Sequence, residues 1–246
     1  MRSRKSWYRA ALLFCTACSF AAHAGEFSVS PLRIFLTPAS KSGVVIVTNS
    51  PAAILSMQLR AMQWTQDAEG NDRYEETKDV IFAPRSLDLP KGAKRLVRVG
   101  IEKPAVDLQR SYRLFIEQTP PVVDPNQKRA QVSVVVNFGL PIFVQPAAAR
   151  AKAELQDLKV EKGVLTFKVV NTGNVHILLS ALATTPAKVV STDFRTWYLM
   201  PGSARAHTAT LPQSACKGPI TLTVRASAQK LTLQRKLELK PEMCGA

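Results

Sequence analysis

The sequence is short of nearly everything that catalysis or metal binding needs. It holds four cysteines and three histidines in 246 residues. Once the first 24 residues are set apart, only Cys216, Cys244, His176 and His207 are left. The two histidines lack any metal-ligand spacing, and each reads as a surface or turn residue. Two cysteines without neighbouring histidine are too few for a structural zinc site. No HExxH, glycine-rich phosphate loop or nucleophile elbow occurs. Glu75, Glu76 and Asp79 lie in a polar stretch that reads as a solvated hairpin tip, not an acid/base pair. No enzyme, metal or cofactor is expected. Acidic residues are scarce as well, 18 against 33 basic, for a net charge of +15. Aromatic residues make up 7%, so nucleic-acid binding would have the charge without the interleaved rings. Collagen-like, coiled-coil and low-complexity classes fail on 11 Gly and 16 Pro, while 46% apolar content supplies a core.

The N-terminus has the three parts of a secretory signal. Arg2, Arg4, Lys5 and Arg9 precede the mostly apolar stretch Ala10–Ala22, and Ala22-His23-Ala24 offers small residues where a signal peptidase reads. The apolar stretch is too short to span a bilayer, which disfavours an N-terminal anchor. Cys15 and Cys18 lack the small-residue run that a lipoprotein signal places before its cysteine. Residues 1–24 are therefore assigned as a signal peptide, cleaved after Ala24, leaving 222 residues with net charge +11. No later run approaches the roughly 18 consecutive apolar residues of a membrane span, so no membrane insertion of the mature chain is expected. In an exported chain, Cys216 and Cys244 are expected to form one disulfide.

The remainder reads as strands. Val44–Val47, Ile54–Trp64, Val80–Phe82, Leu96–Val99, Tyr112–Ile116 and Val132–Val144 are apolar or alternating, and Val164–Val170, Val175–Leu182, Ile220–Ala226 and Leu231–Leu239 repeat the style. Turn residues punctuate them at intervals of roughly 8–12 residues, the spacing of sandwiches and barrels. No amphipathic helix longer than two turns appears, which argues against a parallel βαβ plan. Pro146-Ala-Ala-Ala-Arg150 interrupts the pattern, predicting domains over residues 25–146 and 147–246, each the size of one sandwich. The charge divides unevenly, +3 on the first and +8 on the second.

In Gln131–Asn137 the side chains of Val132, Val134 and Val136 share one face, and alternate side chains along a strand stand about 6.6–7 Å apart. Two readings are open: a central strand packed on its own core, which periodicity alone favours, or a strand lent to another chain.

Taken in order, several segments resemble the periplasmic chaperones of the chaperone–usher pilus pathway. They are Phe27–Leu36 with its one arginine, Val44–Asn49, Met62-Gln-Trp64 with a polar hairpin through Gly70, Phe82-Ala-Pro84, and Lys91–Arg98. Further on come Tyr112–Pro121 ending in a double proline, Val132–Pro146, Val170–His176 and Tyr198–Arg205. Trp64 and Pro31 before Leu-Arg are closer to the archaic or alternate branch. The resemblance implies an all-β protein of two immunoglobulin-like β-sandwich domains in tandem. It further implies a periplasmic location, pilin or fimbrial subunits and an outer-membrane usher as partners, and no nucleic acid. Subunits would be bound by donor-strand complementation, with Val132, Val134 and Val136 as donor residues and Val135 facing the chaperone's own core. Arg33 would anchor the subunit's terminal carboxylate. The family's second anchor is a lysine, but the aligned position is Pro141, which leaves Arg95 and Arg98 as possible second donors. Gln145-Pro146 likewise stands where Arg-Pro is usual. The rival readings are a secreted Ig-like adhesive or carbohydrate-binding protein, which would need an aromatic platform that Trp64, Trp197 and Tyr198 do not form in the sequence, and an anionic-surface-binding protein, which would rest on the +8 of the second domain.

Overall fold

In the computed structural model, residues 27–50, 54–120, 135–227 and 230–244 are described. Residues 1–24, expected from sequence to be a signal peptide, and the expected donor residues Val132 and Val134 lie outside them. In the first half the strands are β1 (Phe27–Ser30), β2 (Ile34–Leu36), β3 (Ser42–Asn49), β4 (Leu55–Gln66), β5 (Asp72–Glu76), β6 (Val80–Ala83), β7 (Ser86–Leu89), β8 (Lys94–Ile101), β9 (Arg110–Gln118) and β10 (Asn137–Val144). One sheet has the order β1-β3-β8-β6, and the other β2-β10-β9-β4-β5 with β7 also on β4. Period-2 alternation decides which side chains enter the core between them. In β8, Val97, Val99 and Ile101 are buried while Leu96 and Arg98 face out.

Pro31 interrupts what would otherwise be one first strand. Before it, β1 pairs antiparallel with β3; after it, β2 crosses to the second sheet and pairs parallel with β10 through Ile34–Ile142 to Leu36–Val144. Arg33 stands in that break, immediately before β2, and not within a strand.

The second half is a smaller sandwich. Its strands are β11 (Ala153–Glu161), β12 (Val164–Asn171), β13 (Ile177–Thr185), β14 (Ser191–Thr192), β15 (Trp197–Leu199), β16 (Ala204–Thr210), β17 (Pro219–Ala226) and β18 (Leu231–Glu238). The sheet orders are β11-β12-β16-β14 and β15-β13-β17-β18. A 3-10 turn at Gln213–Lys217 and another at Pro241–Cys244 are joined by the Cys216–Cys244 disulfide, Cα atoms 6.0 Å apart. The fold is thus all-β with two sandwiches in tandem, and residues 145–152 form the link.

The same residue type seals a loop in each domain. Buried Asn49, at the end of β3, donates from Nδ2 to the Leu89 and Pro90 carbonyls at 2.9 and 3.0 Å. Buried Asn171, at the end of β12, does the same for Val175 and Leu199 at 2.9 Å each. Buried carbonyls need such donors because water cannot reach them.

Three sequence expectations are corrected. Asp79 is not on a solvated tip; it pairs with Arg110 and accepts a hydrogen bond from the Tyr112 hydroxyl at 3.0 Å. That burial, together with the Asp79 bond, pushes the Tyr112 phenol well above its usual range. Neither histidine is at the surface: His176 and His207 are both buried. Val135 does not face a core. It is 44% exposed, because it precedes the first residue of β10 and no described strand covers it.

Candidate functional site

The outer face of the β2-β10-β9-β4-β5 sheet turns toward the second domain. Strand register lines its side chains up in rows. Phe35 lies opposite Phe143, Phe143 opposite Ser111, and Trp64 opposite Tyr74. The small Ser111 leaves room in this row, and its hydroxyl contacts the Met200 sulfur at 3.4 Å. Trp64, Phe143 and Met200 form a separate buried cluster, with Trp197 and Tyr198 packed against it. His176 stacks on Phe143 with centroids 3.7 Å apart. The aromatic residues that looked unrelated in the sequence therefore converge, but in a cluster between the domains with Trp64 buried and Trp197 and Tyr198 partly buried, and not as an exposed platform.

Polar contacts fix this interface. The Gln66 amide donates to the Tyr198 carbonyl at 3.0 Å and accepts from the Met200 N–H at 2.8 Å. Gln109 N–H donates to the Asn174 carbonyl at 2.9 Å, and its side-chain oxygen meets His176 Nδ1 at 2.9 Å. The β4–β5 hairpin tip reaches across. Ala204 N–H donates to the Ala68 carbonyl at 3.1 Å, and Arg205 to that of Gly70 at 3.2 Å. Gly70 has φ +79°, and a Cβ there would stand 2.9 Å from the Ala204 carbonyl oxygen, so the close approach requires glycine.

Two arginines beside this interface have no acidic partner among the described residues. Arg33 is half-buried and makes no ion pair or hydrogen bond among the described residues. Its charge is felt by His176, whose pKa burial drives down to about 4 with Arg33 contributing in the same direction. Arg113, which sequence reading did not single out, projects from β9 beside the aromatic row. Its guanidinium lies 4.1 Å from the Trp64 ring centroid, 5.7 Å from Tyr74 and 5.5 Å from Trp197. Its Nε is buried without a hydrogen-bond partner among the described residues. Alternation in Tyr112-Arg-Leu-Phe-Ile does place Arg113 opposite to the core residues, but only the register shows what it faces. Arg95 and Arg98 are elsewhere. They are exposed on β8, in the other sheet, and Arg98 lies on the outer face of that sheet.

Beside the cleft is an unfinished sheet edge. β9 pairs with β10 along its whole length, and Gln118 N–H extends the ladder to the Val136 carbonyl at 3.1 Å. On its other side β10 is covered by β2 only from Ile142 to Val144. From Asn137 to Pro141 that edge has no strand partner among the described residues. Val136, just before it, is 37% exposed.

The first half of the chain matches a known family. Residues 26–150 fit the model of the pili and flagellar-assembly chaperone, PapD N-terminal domain. No curated protein sequence matches the chain. Among solved structures it is similar to the chaperone–tip subunit pre-assembly complex CsuC–CsuE of the archaic Csu pili of Acinetobacter baumannii. Identity is 19% and TM-score 0.61, covering 88% of this chain and 99% of that one. It is also similar to the Escherichia coli chaperone DraB, at 19% identity and TM-score 0.56, covering 87% and 98%. The complex of the Salmonella enterica SafA pilin with the SafB chaperone matches at 13% identity and TM-score 0.56, covering 86% and 96%. With half of its length fitting that model, and two sandwiches arranged as in these structures, the chain belongs to the family of pili and flagellar-assembly chaperones.

Proposed function

We propose that this chaperone holds pilin subunits by lending them the strand that runs from Val132 into β10, and passes them to an outer-membrane usher. The observation that carries this reading is the edge of β10 from Asn137 to Pro141, which has no strand partner among the described residues, preceded by Val136 exposed to solvent. An unpaired strand edge is a template for another chain. Alternating valines would add apolar side chains for a groove that the subunit cannot fill itself.

The end of the guest strand is set by charge. A strand laid along the open edge stops where β2 begins, beside Arg33. An arginine without an acidic partner favours a carboxylate there and repels an amino terminus. The guest would thus run parallel to β10 and end in its C-terminal carboxylate at Arg33. The solved complexes of similar chaperones with a pilin and a tip subunit support a partner of this class. The tripartite leader supports a periplasmic workplace, with the mature chain starting at Gly25.

The test is co-expression of the tagged chaperone with a pilin subunit from the same genome. Wild type should co-purify with the subunit and keep it from aggregating. Arg33→Ala should leave the chaperone folded, since Arg33 holds no partner among the described residues, and lower the yield of complex at least tenfold. Normal yield from a stable Arg33→Ala protein would overturn the anchoring role.

A further inference from the structure

We infer that the free edge of β18, with the groove between β11 and β18, is a second docking site, one that takes an acidic extended segment of another protein as an added strand. The site lies on the second domain and uses neither β10 nor the reading above. β18 pairs with β17 at every residue from Leu231 to Glu238, and its other edge has no strand partner among the described residues. A long regular edge offers a row of backbone donors and acceptors, and proteins ordinarily shorten or distort such an edge. The other three edges of this domain follow that rule. β14 and β15 have two and three residues, and β11 is broken by a register shift between Gln156 and Lys159. β18 keeps eight residues in unbroken register.

The break in β11 borders the groove. There Asp157 takes φ +53°, and its carboxylate pairs with Lys168 of β12 at 2.8 Å. Between this bulge and β18 lies a groove of 530 Å³, lined by Leu155, Leu158 and Leu237 with Gln156, Arg235 and Lys236 beside them. A strand added to β18 would turn alternate side chains into this groove, over the leucines. Arg235 stands opposite the buried Leu222 in the β17–β18 ladder, so it projects from the groove side of the sheet. An inward charge on an edge strand also deters pairing, which is the competing reading. It deters apolar and basic strands, however, and favours an acidic one. Arg235, with Lys230 and Lys240 at the two ends of β18, is in no ion pair among the described residues, and the one acid on the strand, Glu238, is held by Lys236 at 2.9 Å. The edge thus carries uncompensated positive charge in a domain of net charge +8. A guanidinium beside an apolar groove binds a carboxylate by charge-assisted hydrogen bonds. The same charge argues against a second copy, whose own β18 would bring the same cations up to these.

The probe is an octapeptide of alternating valine and glutamate, acetylated and amidated so that it has no terminal charge. Its length matches β18. The same peptide with lysine for glutamate is the control. Titrated into the mature chaperone, the acidic peptide should bind at least tenfold more tightly than the basic one. Arg235→Glu should weaken it at least tenfold with melting unchanged, because Arg235 is exposed. Two N-methylated versions test for a ladder. A strand holds its valine N–H groups on one edge and its glutamate N–H groups on the other. Methylating at least one of the two sets should abolish binding. Hydrogen exchange should show new protection of the free-edge amides of Leu231–Glu238. Binding by both N-methylated peptides at the parent's strength would mean attraction by charge alone and would overturn strand addition. Protection at Asn137–Val144 in place of β18 would move the peptide to the first domain and overturn the site. Equal binding of the acidic and basic peptides, or binding of neither, overturns it as well. Concentration-dependent dimerisation of the free chaperone, with protection of the same β18 amides, would make a second copy the occupant and overturn the acidic partner.

Discussion

The side chain of Gln66 acts as a short piece of β-ladder between the two domains, donating to the Tyr198 carbonyl at 3.0 Å and accepting from the Met200 N–H at 2.8 Å. Both are backbone groups of the second domain at a partly buried interface. A hydrogen bond of this kind contributes about 1 kcal/mol, and a buried group left unpaired costs about 1–3 kcal/mol. Gln66→Leu should therefore loosen the domains by about 2 kcal/mol or more while leaving both sandwich cores intact. Calorimetry is expected to show the single unfolding transition splitting, or broadening markedly. An unchanged single transition at the wild-type temperature would count against this bridge.

His176 gives the interface a pH dependence. It is packed on Phe143 and Phe35, with Arg33 nearby, and its pKa in the fold is about 4 against about 6.5 when unfolded. The unfolded chain therefore takes up the proton first. The full contribution of the neutral ring is present above about pH 6.5 and is lost progressively as the pH falls toward 4. The loss is on the order of 3 kcal/mol by pH 4. His207 is held down in the same direction, chiefly by burial, and adds to the slope. Urea midpoints should drop between pH 7 and pH 5 in wild type, and the drop should be smaller in His176→Gln. An equal drop in the variant would assign the pH response elsewhere.

The disulfide holds the second sandwich closed at its far end. It bridges the turn before β17 to the turn after β18, a separation of 28 residues. Loop-closure entropy for that length gives about 3–4 kcal/mol. The double replacement Cys216→Ala with Cys244→Ala should lose most of this from the second domain alone. Denaturant unfolding followed by Trp64 fluorescence, against Trp197 fluorescence in single-tryptophan versions, would show which domain weakens.

How far the sequence could be read depends on whether a property is local. Strand existence follows from local apolar pattern, so a strand at Leu96–Val99 was legible, and it lies within β8, where Val97, Val99 and Ile101 face inward. The disulfide was expected from two cysteines in a chain whose first residues read as an export leader, and Cys216 and Cys244 are bonded. The role of Asp79 was not visible, because its partner Arg110 lies 31 residues on and only strand pairing brings the two together. His176 looked like a turn residue since its stacking partner Phe143 comes from the other domain. Arg113 escaped notice for the same reason: Trp197, one of the rings it meets, lies beyond the domain boundary. Val135 was misplaced because alternation assumes a sheet with a core on one side, and at that point the chain has not yet entered β10. Long-range register and the domain interface are set by packing across the whole chain, which no window of sequence contains.

The exposure of both Val135 and Val136 makes the lending of this strand testable by parity. If Val136 served its own domain, an aspartate there would bury a charge and destabilise the fold by several kcal/mol. It is 37% exposed and Val135 44% exposed, so an aspartate at either position should shift melting by no more than a degree or two. Capture of a subunit should separate them. Side chains two apart point the same way on a strand, so in the proposed donor strand Val136 would share the face expected from sequence for Val132 and Val134 and would enter the subunit's apolar groove. Val136→Asp puts a charge into that groove, and co-purification should fall at least tenfold. Val135→Asp points to the opposite side and should reduce capture far less. Equal loss from both substitutions would mean that general negative charge near β10, and not a valine-lined face, governs binding. Wild-type capture by Val136→Asp, with melting unchanged, would remove Val136 from the contact and leave the open edge of β10 without its apolar partner.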